Sequence, residues 1–193
     1  MEYSFQLLYL CSVNKKADIL KAALKLFVEQ GEQSTSMKWI AEEAECGIGT
    51  MYNYFKSKEE LINVLYLETK TKLFTYILEA HNTSSSVKQQ FVSAWLRYID
   101  YSILNPLETR FLQVYSHSPK ISKEISDEVG KLINPLLEVY EKGIEEGIIK
   151  NQNTLQLVIF TNGAITSSVS YNPNITNRCK KDLVLMAWDA IKS

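Results

Sequence analysis

Residues Cys46–Leu61 read CGIGTMYNYFKSKEEL and decide the fold. Two glycines and three aromatics share one short polar segment, and Ser57 with Glu60 stands at capping-box spacing for a helix that follows. A core helix would not carry glycines beside outward tyrosines, and a plain loop has no use for Tyr52, Tyr54 and Phe55 so close together. Upstream, STSMKWIAEEAE offers Ser34, Thr35 or Ser36 as an N-cap and puts Met37, Ile40, Ala41 and Ala44 on one face. A helix, a tight turn and a second short helix with a polar outer face is the helix-turn-helix arrangement. Gly47 eases the turn, and Gly49 removes a side chain where the second helix approaches a groove. Thr50, Tyr52, Asn53 and Tyr54 supply hydroxyl and amide groups suited to phosphates and base edges. Met51 and Phe55, four apart, anchor that helix inward. Lys56 and Lys58 stand where a phosphate would meet the start of the next helix.

Before this segment, ADILKAALKLFVEQG repeats Ile19, Ala23, Leu26 and Phe27 at helical spacing, and Gly31 serves as a left-handed stop. Residues 1–14 are apolar but short for a membrane span, and their positive charges, Lys15 and Lys16, follow the apolar run where a signal peptide carries them before it. They read as an N-terminal arm or the product of an early start. The 193 residues carry a net charge of −1 and 46% hydrophobic residues, enough for a real core without global attraction to nucleic acid. From Lys15 to Leu61 seven lysines meet eight acids, so a DNA-binding role rests on local placement. Cys11, Cys46 and Cys179 lack metal or disulfide spacing and suit reduced thiols in the cytoplasm. His81 and His117 have no nucleophile or acid at a motif spacing, and no phosphate loop occurs. Catalysis, a cofactor and a metal are therefore not expected.

Residues 19–65 resemble the N-terminal domain of TetR-family transcriptional regulators. Ala22, Ala23, Phe27, Gly31, Ile40, Ala41, Ala44, Gly49, Thr50, Tyr52, Tyr54, Phe55, Ser57, Lys58 and Leu61 carry the match without a gap. The resemblance implies an all-α fold: a three-helix DNA-binding head over 15–61 and a helical effector-binding and dimerisation domain over 62–193, about nine helices altogether. It also implies that Ile48, Gly49 and Tyr52 face bases, that Thr50, Tyr54 and Lys58 hold phosphates, and that Lys38 reaches DNA. The chain departs from the family pattern with Glu45 where a turn glycine is common, Gly47 where a Ser or Thr cap is common, and Ile48 at a commonly polar position. Isoleucine cannot donate a hydrogen bond but can touch a thymine methyl.

Residues 62–193 carry little signature. Ser86 with Gln89 caps one helix, Asn105–Pro106 starts another, and Pro135 kinks or divides the run from Ile125 to Ile149. Leu155–Tyr171 holds Asn162–Gly163 between β-branched residues, a hairpin signal. Asn153 with Gln156 is a helix start, and within an otherwise helical chain the segment is expected to be a helix. Leu155, Ile159, Gly163 and Ser167, with Leu183, Ala187, Trp188 and Ile191 of the last helix, are expected to form a four-helix interface between two copies, as in the resembling family. For the last stripe an intrachain core is the other reading.

Trp95, Tyr98, Tyr101, Arg110, Phe111, Tyr115, His117, Tyr140 and Phe160 fit the wall of an effector pocket, or a closed core. The expected partners are a double-stranded operator, a second copy and a small apolar or aromatic effector, with no membrane. A helical adaptor for a protein partner is the alternative on the same fold.

Overall fold

A computed structural model describes residues 2–80, 82–172 and 174–193, with side chains from residue 15 onward. His81 and Cys11, named above, lie outside the described side chains. Ten helices follow in order among the described residues: α1 (Glu2–Gln30), α2 (Met37–Glu43), α3 (Ile48–Tyr54), α4 (Lys58–Leu78), α5 (Val87–Leu104), α6 (Pro106–Tyr115), α7 (Lys123–Leu132), α8 (Asn134–Glu145), α9 (Thr154–Tyr171) and α10 (Asn177–Ile191). The fold is all-α, as expected. The count exceeds nine because Pro135, in the first turn of α8, divides the run from Ile125 to Ile149. Residues 2–14 are helical and continuous with α1, so the expected separate arm is instead the first part of that helix. No Gly or Pro occurs before Gly31 to stop it.

The chain divides into two compact units, Met1–Thr69 with Leu107–Ser126 and Lys70–Pro106 with Asp127–Ser193. The division falls inside α4, at neither residue 61 nor any sequence break, and it assigns most of α6 to the first unit. Local bonds explain that assignment. Asn63 donates to the Lys120 carbonyl and accepts from the Ser122 amide, both at 2.8 Å. Tyr115 stacks on Phe111 at 4.5 Å and on Phe27 at 6.4 Å between ring centres. The Lys120 ammonium also pairs with Glu32.

Within the first unit, Gly31 takes φ +79° and ends α1. Buried Thr35 donates its hydroxyl to the Gly31 carbonyl at 2.8 Å, closing that end. Ser36 caps α2 by accepting from the Trp39 amide at 3.1 Å. Ile19, Ala23, Ile40, Ala41, Met51, Phe55 and Leu61 then fill the core shared by the helices of the head.

Aromatics build the core of the second unit. Phe91 meets Tyr140 and Trp188 edge-on at 5.7 and 5.2 Å, and Trp95 donates its indole N–H to the Tyr140 hydroxyl at 2.9 Å. Burial pushes the Tyr140 hydroxyl pKa well up, against hydrogen bonds with Thr161 and Trp95 that lower it. α9 is a helix capped by Asn153. Its hairpin dipeptide is overridden because Leu157, Val158, Thr161, Ile165 and Val169 bury one helical face. In a β-strand Val158 would face away from the other four, whereas the helix keeps all five together.

Candidate nucleic-acid interface and ligand cavities

α3 is seven residues long, and its burial alternates as a recognition helix requires. Met51 and Phe55 are fully buried, whereas Ile48 and Tyr52 expose 44% and 46% of their surface. Gly49, Thr50 and Asn53 are exposed with them, and Tyr54 is half-buried. A side chain at Gly49 would meet nothing within 4 Å, so the glycine leaves the outer face of α3 open for a partner's surface. The turn before α3 depends on Glu45, which takes φ +50° in place of a glycine. Gly47 is the N-cap in extended conformation and makes no side-chain cap bond. Cys46 lies in the same turn; burial raises its thiol pKa, Lys15 opposing, so it is a poor nucleophile.

Charge is sorted locally. Glu43 is drawn to Lys25 at 2.6 Å, and that hydrogen bond, ahead of the charge attraction, raises the lysine pKa. Glu32 serves Lys120 and, at 3.7 Å, Lys58. Lys38 on α2 remains exposed, 3.8 Å from Glu42 in a pair that solvent weakens. Lys56 donates to the Tyr52 carbonyl at 3.3 Å. Glu60 completes only half of the expected capping box: its amide donates to Ser57, but its carboxylate accepts from the Lys56 amide.

Lys58 departs from its expected place. Its ammonium donates to the Glu32 and Thr35 carbonyls at 2.9 and 3.1 Å, binding the start of α4 to the loop between α1 and α2. The local acceptors and the Glu32 carboxylate satisfy it where a phosphate was expected to. Sequence reading also passed over Trp39. This indole is 37% exposed next to Lys38, and its ring N–H has no partner among the described residues. The signal was available, because Trp39 falls outside the Ile40, Ala41, Ala44 stripe of α2.

The nine residues expected around one effector pocket are divided between the two units. Trp95, Tyr101 and Tyr140 are buried in the second unit, and half-buried Tyr98 bonds to Thr166 at 2.5 Å and Asn162 at 3.3 Å. Burial raises the Tyr98 pKa. Phe160 points to solvent. Arg110, Phe111 and Tyr115 instead line an open groove of about 620 Å³ in the first unit, with Gly31 and Glu29. Burial, helped by Glu32, pushes the Tyr115 hydroxyl up to about 12. His117 is exposed. The aromatics found one another before any ligand, which is why the stripe closed into core. A separate cavity of about 270 Å³ opens in the second unit among residues that sequence reading did not single out.

The expected interface residues divide likewise. On α9, Leu155 and Ile159 expose 50% and 56%, and Gly163 and Ser167 lie on the same outer face. On α10 the stripe turns inward: Ala187, Trp188 and Ile191 are buried and Leu183 is half-buried. Leu185 and Met186 are the outward apolar residues of α10. The correction follows from Trp188, whose ring completes the Phe91 cluster.

Among the described residues no group of three or more His, Cys, Asp or Glu could hold a metal ion, and no helix is long and apolar enough to cross a membrane.

Known proteins share this arrangement. Residues 19–65 match the family model for bacterial regulatory proteins, tetR family. YhgD of Bacillus subtilis (strain 168), an uncharacterized HTH-type transcriptional regulator, is 26% identical over 137 residues, 71% of each chain. The fatty acid metabolism regulator protein of the same organism is 24% identical over 180 residues, 90% of each chain. A putative tetR family transcription regulator from Shewanella sp. PV-4 superposes with a TM-score of 0.84 at 26% identity, covering 93% of this chain and 98% of that one.

Proposed function

Because the chain belongs to the TetR family of DNA-binding transcriptional regulators, we propose that it is a cytoplasmic repressor: a homodimer that binds a palindromic operator and is released by a small apolar or aromatic effector. The family is one of regulators and not of enzymes. The observation that carries the reading is the outer face of α3, where Ile48, Gly49, Thr50, Tyr52 and Asn53 are free while Met51 and Phe55 hold the helix from behind. Ile48 suits a thymine methyl, Tyr52 and Asn53 suit base edges or phosphates, and Lys38 with Trp39 extends the contact along α2. Lys58 acts behind this surface as a brace.

One such helix reads only a few base pairs, so two copies are needed, with their recognition helices about 35 Å or somewhat more apart. The exposed α9 stripe of Leu155, Ile159, Gly163 and Ser167 suits the second copy, because it is apolar, continuous and narrow enough at Gly163 for close approach. An effector releases DNA by preferring the arrangement whose spacing does not match successive grooves, and it shifts affinity only by its differential binding to the two. An apolar effector agrees with the name of one relative, a regulator of fatty acid metabolism.

The test is gel retardation of the region upstream of the protein's own operon, joined to sedimentation of the free and bound protein. Two copies per duplex are expected, with Ile159→Glu giving monomers that lose operator affinity. Monomer alone at micromolar concentration, with and without DNA, overturns the dimeric reading. Equal affinity for the upstream region and random DNA overturns the operator reading.

A further inference from the structure

A cavity of about 270 Å³ in the second unit bears on where a ligand sits and what it is. It lies where α4 ends, the loop before α5 turns and α5 begins. Ile77, Leu136 and Val139, each about 5% exposed or less, form its apolar floor. Gln89, Gln90 and Ser93 are among the polar residues that line it.

The capping box at the start of α5 fixes those polar atoms. The Ser86 amide donates to Gln89 Oε1 at 3.0 Å, and an amide N–H can only donate, so the orientation of the Gln89 side chain is set. Its Nε2 is left as a donor without a partner among the described residues. Gln90 is set by the opposite constraint. Its Nε2 donates to the Ser85 carbonyl at 2.7 Å, and a carbonyl can only accept. Gln90 Oε1 therefore remains an acceptor, on a side chain only 7% exposed. No fully buried side-chain polar atom among the described residues lacks a partner, so this oxygen keeps some exposure, and Gln90 is one of the residues that line the cavity. Among the described residues the Ser93 hydroxyl also has no hydrogen-bond partner. A fixed acceptor, a fixed donor and a hydroxyl thus stand over an apolar floor. Among the described residues the lining carries no charge.

We infer that this cavity binds a small uncharged molecule with an apolar body and an adjacent donor–acceptor group, of which a primary amide is the simplest. The ligand's N–H goes to Gln90 Oε1 and its carbonyl takes Gln89 Nε2 or Ser93. An ionised ligand is disfavoured, because a charge taken from water to this wall meets no counter-charge among the described residues. The volume lies just under the ~300–1,000 Å³ of pockets for drug-sized molecules, so the ligand is smaller than those. This rests on the effector reading only for its regulatory meaning; the site itself stands on the geometry.

Benzamide and its near-isostere benzoate are the probes, titrated calorimetrically into the full chain. Benzamide should bind saturably and benzoate at least ten-fold more weakly. Gln90→Leu, which removes the acceptor, and Ser93→Leu, which fills the cavity from its half-exposed rim, should each weaken benzamide at least ten-fold. A thermal melt checks that each variant is folded, and Ser93→Leu decides if Gln90→Leu is not. No benzamide binding, equal binding of benzoate, or full binding by Ser93→Leu overturns the inference. If benzamide binds as expected but leaves operator affinity unchanged, the site stands and the effector role proposed above fails.

Discussion

Glu45 holds φ at +50° in the turn before α3, where a side chain crowds its own backbone. Glycine has no such penalty but loses more freedom on folding. Glu45→Gly should therefore stabilise the head by about 0.5–1 kcal/mol, seen as a higher melting temperature; an unchanged or lower one would mean that the glutamate side chain compensates for its own strain. Lys58 makes a second test at this scale, since the residue was expected on DNA and the structure gives its ammonium to Glu32 and Thr35. Lys58→Ala should cost about 1–2 kcal/mol of stability and leave the salt dependence of DNA binding unaltered. A lost phosphate contact would instead flatten that dependence by about one counterion. Trp39 allows a direct view of the interface, because Trp95 and Trp188 are each only 3% exposed. Acrylamide quenching should report Trp39, and saturating DNA should protect it. Quenching unaffected by DNA would place Trp39 off the contact surface.

Elements are held by what their neighbours leave them. α8 approaches the end of its own segment so closely that a Cβ at Gly143 would lie 2.5 Å from Ile149 Cδ1 and 2.9 Å from Val87 Cγ1. Ile149 and Val87 are almost fully buried and cannot move aside. Alanine at 143 gains about 1 kcal/mol of helix propensity but meets an overpacking penalty of about 1–3 kcal/mol. A net loss follows, read as a lower urea midpoint with unchanged slope, and Ile149→Val should recover part of it. A Gly143→Ala variant as stable as the parent would show that the segment has slack. α9 illustrates the same dependence in reverse: Asn162–Gly163 favours a turn locally, yet five residues of one face are buried and the helix runs through.

Across the molecule, four tyrosines resist ionisation. Burial raises the pKa of Tyr66, Tyr98 and Tyr140, and takes Tyr115 up to about 12. In the unfolded chain they would ionise near 10. A group whose folded pKa is the higher contributes stability that is complete below the unfolded pKa and is lost as pH rises through the folded one. Stability should hold up to about pH 10 and fall above it. Absorbance at 295 nm should then show these four ionising only as helicity collapses. Ionisation of these four in one reversible step near pH 10, with helicity intact, would contradict the burial.

The sequence by itself determined several helix ends, because caps, stops and hydrophobic period act over a few residues. Ser36, Gly31, the Ser86–Gln89 box and Asn153 all stand where local chemistry puts them. It also determined the two faces of α3, since Met51 and Phe55 share one side of a short helix. Which stripes meet was left to the tertiary structure. Trp95, Tyr140 and Trp188 could have lined a pocket or an interface, and only their mutual packing around Phe91 made them core. Lys58 could have reached a phosphate, and only the nearby Glu32 and Thr35 carbonyls drew it inward. The cavity over Ile77 and Val139 exists because α4, α5 and α8 do not quite fill the space between them. A void of that kind is set by relative helix positions, which no spacing along one strip of chain encodes.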